Sequence, residues 1–159
     1  MADQLITHRL ANASDFDELG QLVFTCVRTG PSTYSDEQRA AWMPAPRSGP
    51  EWAERLSTQW ITLAESNSQI VGFMSFVPET GYLDFAYILP HARGQGLFAS
   101  LYAALEKQAL KIGVEKLWVH ASLMAHPAFE AHGFEVISPE EVRIGEQTLK
   151  RYLMEKALV

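Results

Sequence analysis

A chain of 159 residues is long enough for one domain with a proper core, and a hydrophobic content of 47% beside 20% charged residues is ordinary for a soluble globular protein. The net charge of −6 argues against a broad nucleic-acid surface and is compatible with a cationic substrate such as an amine. One cysteine, Cys26, excludes an intrachain disulfide and a cysteine-paired zinc site. No apolar run has the length of a membrane span, and the first residues, Met-Ala-Asp-Gln-Leu, lack the basic and apolar regions of a signal peptide. A cytoplasmic protein with no membrane partner is the expectation.

Leu5 to Leu10 reads as a first strand. Ser14 or Asp15 can cap a helix whose apolar face is Phe16, Leu19, Leu22, Val23, Cys26 and Val27. Thr29-Gly30-Pro31 ends it. Cys26 lies between two valines of that face, which suits a packed core thiol better than a nucleophile. Ser35 caps a short helix reaching Trp42, the prolines of Met43–Pro50 stop it, and Glu51 to Leu56 starts another. This irregular connection carries Tyr34, Trp42, Met43 and Trp52. Such a segment is either a binding loop or a lid stapled to the core by its aromatics, and the two are compatible.

Trp60–Ala64 and Ile70–Val77 read as strands joined by a turn at Ser66-Asn67-Ser68. Pro78–Gly81 then turns into a buried strand, Tyr82–Leu89, which Pro90 ends. Three strands with short links make an antiparallel meander and argue against a doubly wound parallel sheet. Phe98, Leu101, Leu105, Ala109 and Ile112 recur at helical spacing, with Ser100, Glu106, Lys107 and Lys111 opposite, and Gly113 closes the helix. Lys116–Ala121 is a fifth strand, and the helix before it predicts that it lies parallel to Tyr82–Leu89. His126–His132 is a short helix, and Phe134–Val142 with Gln147–Met154 is a last hairpin. There is no internal repeat or linker, so one domain over residues 1–159 is expected. The five histidines show no zinc spacing with a third ligand, and no metal is expected.

The candidate site lies between the fourth strand and the long helix, where Arg93, Gly94 and Gly96 follow one another closely. The first N–H groups of a helix have no internal partner and carry the positive end of its dipole. Glycines let those groups close around phosphate oxygens, and an arginine adds a planar cation. The competing reading is a helix entry where glycine merely allows a tight turn. A P-loop is excluded because no Gly-Lys-Ser/Thr follows, and the third glycine of a dinucleotide-binding fingerprint is missing.

Pro90-His-Ala-Arg93-Gly94-Gln95-Gly96-Leu97 resembles the acyl-CoA motif of the GNAT acetyltransferase superfamily, Arg/Gln-x-x-Gly-x-Gly/Ala, with Phe98 in place of the last small residue. Ala125-His-Pro-Ala-Phe129-Glu-Ala-His-Gly133-Phe134 is similar to the family's Ala-x-x-Phe-Tyr-Glu-x-x-Gly-Phe segment. The resemblance runs from about Leu5 to the C-terminus. It implies an α+β fold of sandwich type: a mixed, mostly antiparallel sheet of six or seven strands flanked by helices, splayed between the fourth and fifth. It implies acetyl-CoA as cofactor, its pantetheine arm paired with the main chain of Ile88 and Leu89 and its pyrophosphate held by Arg93, Gly94, Gln95, Gly96, Leu97 and Phe98. Ser122 stands near the family's usual asparagine. The segment containing Tyr34 and Trp42 corresponds to one wall of the acceptor pocket.

Acyl transfer to an amine needs a base, because most alkyl amines are protonated at neutral pH. Asp84, expected on the same strand face as Ala86 and Ile88, matches the family's acidic residue and is the candidate. Many relatives protonate the leaving thiolate with a tyrosine. Here that position is Phe129, so Tyr87, Tyr102, Ser122, His126 or water must stand in. The function implied is direct acetyl transfer to a small-molecule or peptide amine, with a homodimer possible. A GNAT-fold module that binds acyl-CoA as a sensor, and a nucleotide-binding protein using the same loop, stay open as alternatives.

Overall fold

The computed structural model describes residues 5–159, which form a seven-stranded sheet with helices on both faces. In chain order the elements are β1 (Ile6–Leu10), α1 (Phe16–Arg28), α2 (Asp36–Trp42), α3 (Gly49–Ser57), β2 (Trp60–Ser66), β3 (Gln69–Val77) and β4 (Tyr82–Ile88). They continue with α4 (Leu97–Lys111), β5 (Lys116–Ser122), α5 (His126–Ala131), β6 (Glu135–Ile144) and β7 (Gln147–Ala157). Strand order is β1-β2-β3-β4-β5-β7-β6, with every neighbouring pair antiparallel except β4 and β5. The expected meander, parallel pair and closing hairpin are all present.

Local chemistry explains the boundaries. The turn between β2 and β3 holds Asn67 and Ser68 at φ 52° and 67°, the left-handed pair that suits a tight hairpin. Ser35 and Gln38 form a reciprocal capping box at the start of α2. The entry to α1 differs from expectation: Asn12, and not Ser14 or Asp15, makes the cap. Its side chain accepts from the Ser14 N–H, while Asp15 accepts from the Asn12 N–H, over a short 3-10 turn that leads into the helix. The face of α4 also shifts. Leu97, Leu101, Tyr102, Leu105 and Ala109 are buried, whereas Ile112 ends the helix and is 44% exposed.

The core lies between the sheet and the helices, with Leu63, Phe73, Met74, Phe76 and Leu83 of the central strands almost fully buried. α4 packs on β2, β3 and β4, and α1 on β3 and β4. Two anchors fix the α1–α3 region. Arg39 is buried and donates to the carbonyls of Val27 and Thr29, covering the last turn of α1 where the helix dipole is negative. The Trp52 indole N–H donates to the Phe16 carbonyl, and its ring meets Phe85 edge-on. Among the described residues no helix is long and apolar enough to cross a membrane.

The feature that makes the site is a parting of the sheet. β4 and β5 pair only at Tyr82 with Trp118 and Leu83 with Val119. The Tyr82 and Trp118 rings, 4.4 Å apart, close that end. Just beyond it β4 carries a bulge: Phe76 pairs with Leu83 and Ser75 with Phe85, leaving Asp84 over. A bulge bends its strand and sharpens the twist, which turns β4 away from β5. β5 meanwhile stays paired with β7 as far as Ser122 and Arg151.

Candidate active site

Two cavities meet where the strands part. The larger, about 450 Å³, is a groove between the end of β4, the turn into α4 and the residues after β5. Its walls include Ala86, Tyr87, Ile88, Arg93, Gly94 and Gly96, with Leu97, Phe98 and Ala99 of α4 and Ser122, Ala125 and Ala128 opposite. The smaller, about 180 Å³, is bounded by Arg55, Tyr82, Asp84 and Phe85, by His120 of β5, and by the β6–β7 hairpin. Tyr34, Trp42, Tyr87 and Ser122 border both and mark the junction.

The turn into α4 is shaped by two glycines. Gly94 and Gly96 adopt φ of 78° and 79°, Gly96 capping the helix in the left-handed conformation. The first backbone bond of the helix is from Ser100 N–H to the Gly96 carbonyl. The N–H groups of Gly94 to Ala99 therefore have no main-chain partner among the described residues, and open space lies beside both glycines. The Phe98 ring turns to α5, 5.2 Å from Phe129 and 5.2 Å from His132, so its N–H stays clear.

Other expected contacts fall differently. Arg93 borders the groove, but its Nε donates to the Ile88 carbonyl at 3.0 Å, clamping the end of β4. Leu89 is not in the wall. Its side chain is buried, its N–H donates to Val71 and its carbonyl accepts from Ala92, so of the expected pair Ile88 alone borders the groove. Gln95 is exposed outside the groove.

Asp84 sits in the wall of the smaller cavity. Arg55 donates to both its oxygens at 2.9 and 2.7 Å, and Gln59 donates at 2.7 Å while accepting from Ser75. The Arg55 guanidinium also lies 4.8 Å from the Phe85 ring centre. The bulge puts Asp84 on the same side as Phe85 and Tyr87, not with Ala86 and Ile88 as strict alternation requires. His120 faces the same cavity, its Nδ1 bonded to Glu140 at 2.7 Å, and Arg151 holds the same Glu140 oxygen at 3.0 Å. Burial pushes the Glu140 carboxyl up, but the hydrogen bonds and charges of His120 and then Arg151 together outweigh it and hold it below its usual range.

The position expected to lack a proton donor is apolar: Phe129 is buried against Phe98 and Phe134 and reaches neither cavity. Tyr102 donates to Glu106, away from the junction. Tyr87 stands at the junction, and its hydroxyl has no hydrogen-bond partner among the described residues. Burial pushes that phenol well above its usual range, so it stays protonated. Tyr34 is committed, donating to the Lys150 carbonyl and accepting from the Leu123 N–H, which ties the lid to β7 and the end of β5. Cys26 borders the groove, and burial pushes its thiol up to about 11 against a lowering by Arg93, so it is no nucleophile at neutral pH. Arg47, Arg55, Gln59 and Arg151 gave no sequence signal of a site role. The contacts of Arg55, Gln59 and Arg151 cross from separate elements, and the Arg47 side chain makes no hydrogen bond or ion pair among the described residues.

A mixed sheet that parts over an amide-lined helix entry, beside a small polar cavity, defines an acetyltransferase fold of the kind that the two motifs resemble. The chain belongs to the GNAT acetyltransferase family: the model of the Acetyltransferase (GNAT) domain matches residues 31–156. It is 30% identical over 129 residues to the uncharacterised N-acetyltransferase YafP of Escherichia coli K12, covering 80% of each chain. A GCN5-related N-acetyltransferase structure from Rhodopseudomonas palustris superposes with a TM-score of 0.85 at 27% identity over 99% of both chains. A Salmonella typhimurium acetyltransferase, solved with its cofactor acetyl-CoA, shares the fold with a TM-score of 0.68 at 19% identity over 98% of this chain and 95% of that one.

Proposed function

We propose that the protein transfers the acetyl group of acetyl-CoA directly to a free amine. The observation that carries this reading is the run of unpartnered amides from Gly94 to Ala99 opening on a groove that ends in the gap between β4 and β5. These residues fit the coenzyme: the helix entry suits a diphosphate, and the open edges of the strands suit an extended polyamide arm. Arg93 reaches the phosphates in this reading by releasing the Ile88 carbonyl, which the arm then uses. Acetyl-CoA supplies the activated thioester.

The chain's own groups supply proton handling. Tyr87, protonated and at the junction, donates a hydrogen bond to the sulfur as charge gathers on it, the role that Phe129 cannot fill. Ser122 is the polar neighbour across the gap. Asp84 takes the amine proton in the first reading. Three of its roughly four acceptor sites are occupied, so it acts through the one left or by parting from Arg55. A second reading is favoured by the Glu140 contact, which orients His120 and leaves its Nε2 for the amine. Tyr34 and Trp42 position the acceptor at the junction of the two cavities.

Calorimetric titration with acetyl-CoA followed by a thiol-release assay over an amine panel tests the proposal. Binding with turnover is expected. Binding without turnover on any amine would favour a sensor module, the reading that Phe129 motivates. Tighter binding of ATP than of acetyl-CoA would favour a nucleotide-binding protein. The proposal includes a cytoplasmic location, one domain over the whole chain and a homodimer. The exposed Val136 and Ile137 on the edge strand β6 support the dimer, and sedimentation tests it.

A further inference from the structure

The charge of the acceptor cavity runs against that of the whole chain. The molecule carries −6, yet the cavity wall holds Arg47, Arg55 and Arg151 against a single carboxylate, Asp84. Arg55 and Asp84 answer one another. Arg151 spends its Nε on Glu140, which lies outside the wall, and its terminal N–H groups have no partner among the described residues. Arg47 has no ion pair or hydrogen bond from its side chain among the described residues.

Arg47 is nonetheless held in place. A Cβ on Gly20 would lie 1.9 Å from the Arg47 carbonyl oxygen, so the loop before α3 rests directly on α1. The backbone of Arg47 is thereby fixed beside the cavity while its side chain is exposed at the mouth. A guanidinium presents a planar fork that matches a carboxylate. A polyamine would set its ammonium groups against these arginines, an unfavourable contact.

We infer that the acceptor is a small amine bearing a carboxylate, an amino acid or close analogue, with Arg47 and Arg151 holding its acid group. This rests on the acetyltransferase reading above and names its substrate class. The rest of the wall agrees. Val23, Met43, Val142, Ile144 and Leu149 offer an apolar surface for a side chain. A cavity of about 180 Å³ is smaller than the ~300–1,000 Å³ typical of drug-sized ligands.

The test compares L-methionine, L-methioninamide and the corresponding amine without a carboxyl group, read as CoA release from acetyl-CoA. The acid is expected to exceed both others in kcat/KM by about 10-fold or more, the factor given by charge-assisted hydrogen bonds to one group. Arg47→Glu, on an exposed side chain, should lower kcat/KM for the acid about 10–100-fold, at least about tenfold more than for the amide. Titration of CoA-loaded protein with N-acetyl-L-methionine and its amide reads the same preference without turnover. Equal turnover of acid and amine, equal or absent binding of the two products, or an Arg47→Glu loss shared by all probes overturns the inference. Failure of acetyl-CoA itself to bind overturns the acetyltransferase reading instead.

Discussion

Gly96→Ala separates a phosphate seat from a mere helix entry, provided it is read beside Gly113→Ala. Both glycines hold the left-handed conformation, at φ 79° and 84°, and neither has an atom within 4 Å of an added Cβ. In the protein alone each substitution costs strain only, about 1–2 kcal/mol for a non-glycine residue there. In a chain of this size that lowers Tm by about 2–4 °C per kcal/mol. The difference lies in what fills the open space. Gly113 follows the far end of α4, while Gly96 begins it, and there the new methyl stands where a diphosphate must approach the amides of Leu97 and Phe98. Thermal melts should therefore shift alike, while calorimetry should show acetyl-CoA affinity down about 10–100-fold for Gly96→Ala alone, about 1.4 kcal/mol per tenfold step. Equal acetyl-CoA affinities in the two variants would refute the reasoning, because the strain is common to both.

Further predictions concern the protons. Tyr87→Phe should lower kcat about 10–100-fold with acetyl-CoA affinity unchanged, within the range for losing one positioned donor or acid; an unchanged kcat removes Tyr87 from the mechanism. Asp84→Asn and His120→Gln, measured side by side, identify the proton acceptor as the one whose kcat falls about 100-fold or more while acetyl-CoA still binds, and a negligible effect of both excludes both. Cys26→Ala should retain activity, and iodoacetamide should leave the native thiol unmodified near neutral pH because burial holds it protonated. Asp15 is held below the usual carboxylate range chiefly by its hydrogen bonds from Arg9, so it adds stability above about pH 4 that is lost as pH falls through its lower folded value. Asp15→Asn should cost about 1 kcal/mol at neutral pH, since Arg9 is 37% exposed, and the gap to the native protein should close in acid melts. A constant gap down to about pH 2 would contradict that assignment.

The parts of this fold that were legible in the sequence are those fixed by neighbours along the chain. Asn67-Ser68, Ser35 with Gln38, and the glycines around α4 set turns and caps through their own backbone needs, and alternation or helical spacing marked the strands and helices between them. The glycine turn of the site belongs to this class. The bulge at Asp84 does not, because it exists only in the register between β3 and β4, and it moved Asp84 off the face that alternation assigned. The ion pair of Asp84 with Arg55, the Glu140 link between His120 and Arg151, and the turn of Arg93 onto Ile88 are equally tertiary. Net charge carried no information about the site: the chain is acidic as a whole, while the wall of the smaller cavity holds three arginines and one carboxylate.

A crystal structure of the protein with CoA tests the central claim most directly. The account predicts the diphosphate within hydrogen-bond distance of the main-chain N–H groups between Gly94 and Ala99, and the pantetheine arm lying in the gap between Tyr82–Ile88 and Lys116–Ser122. A diphosphate bound elsewhere, or an arm that leaves that gap empty, would contradict it.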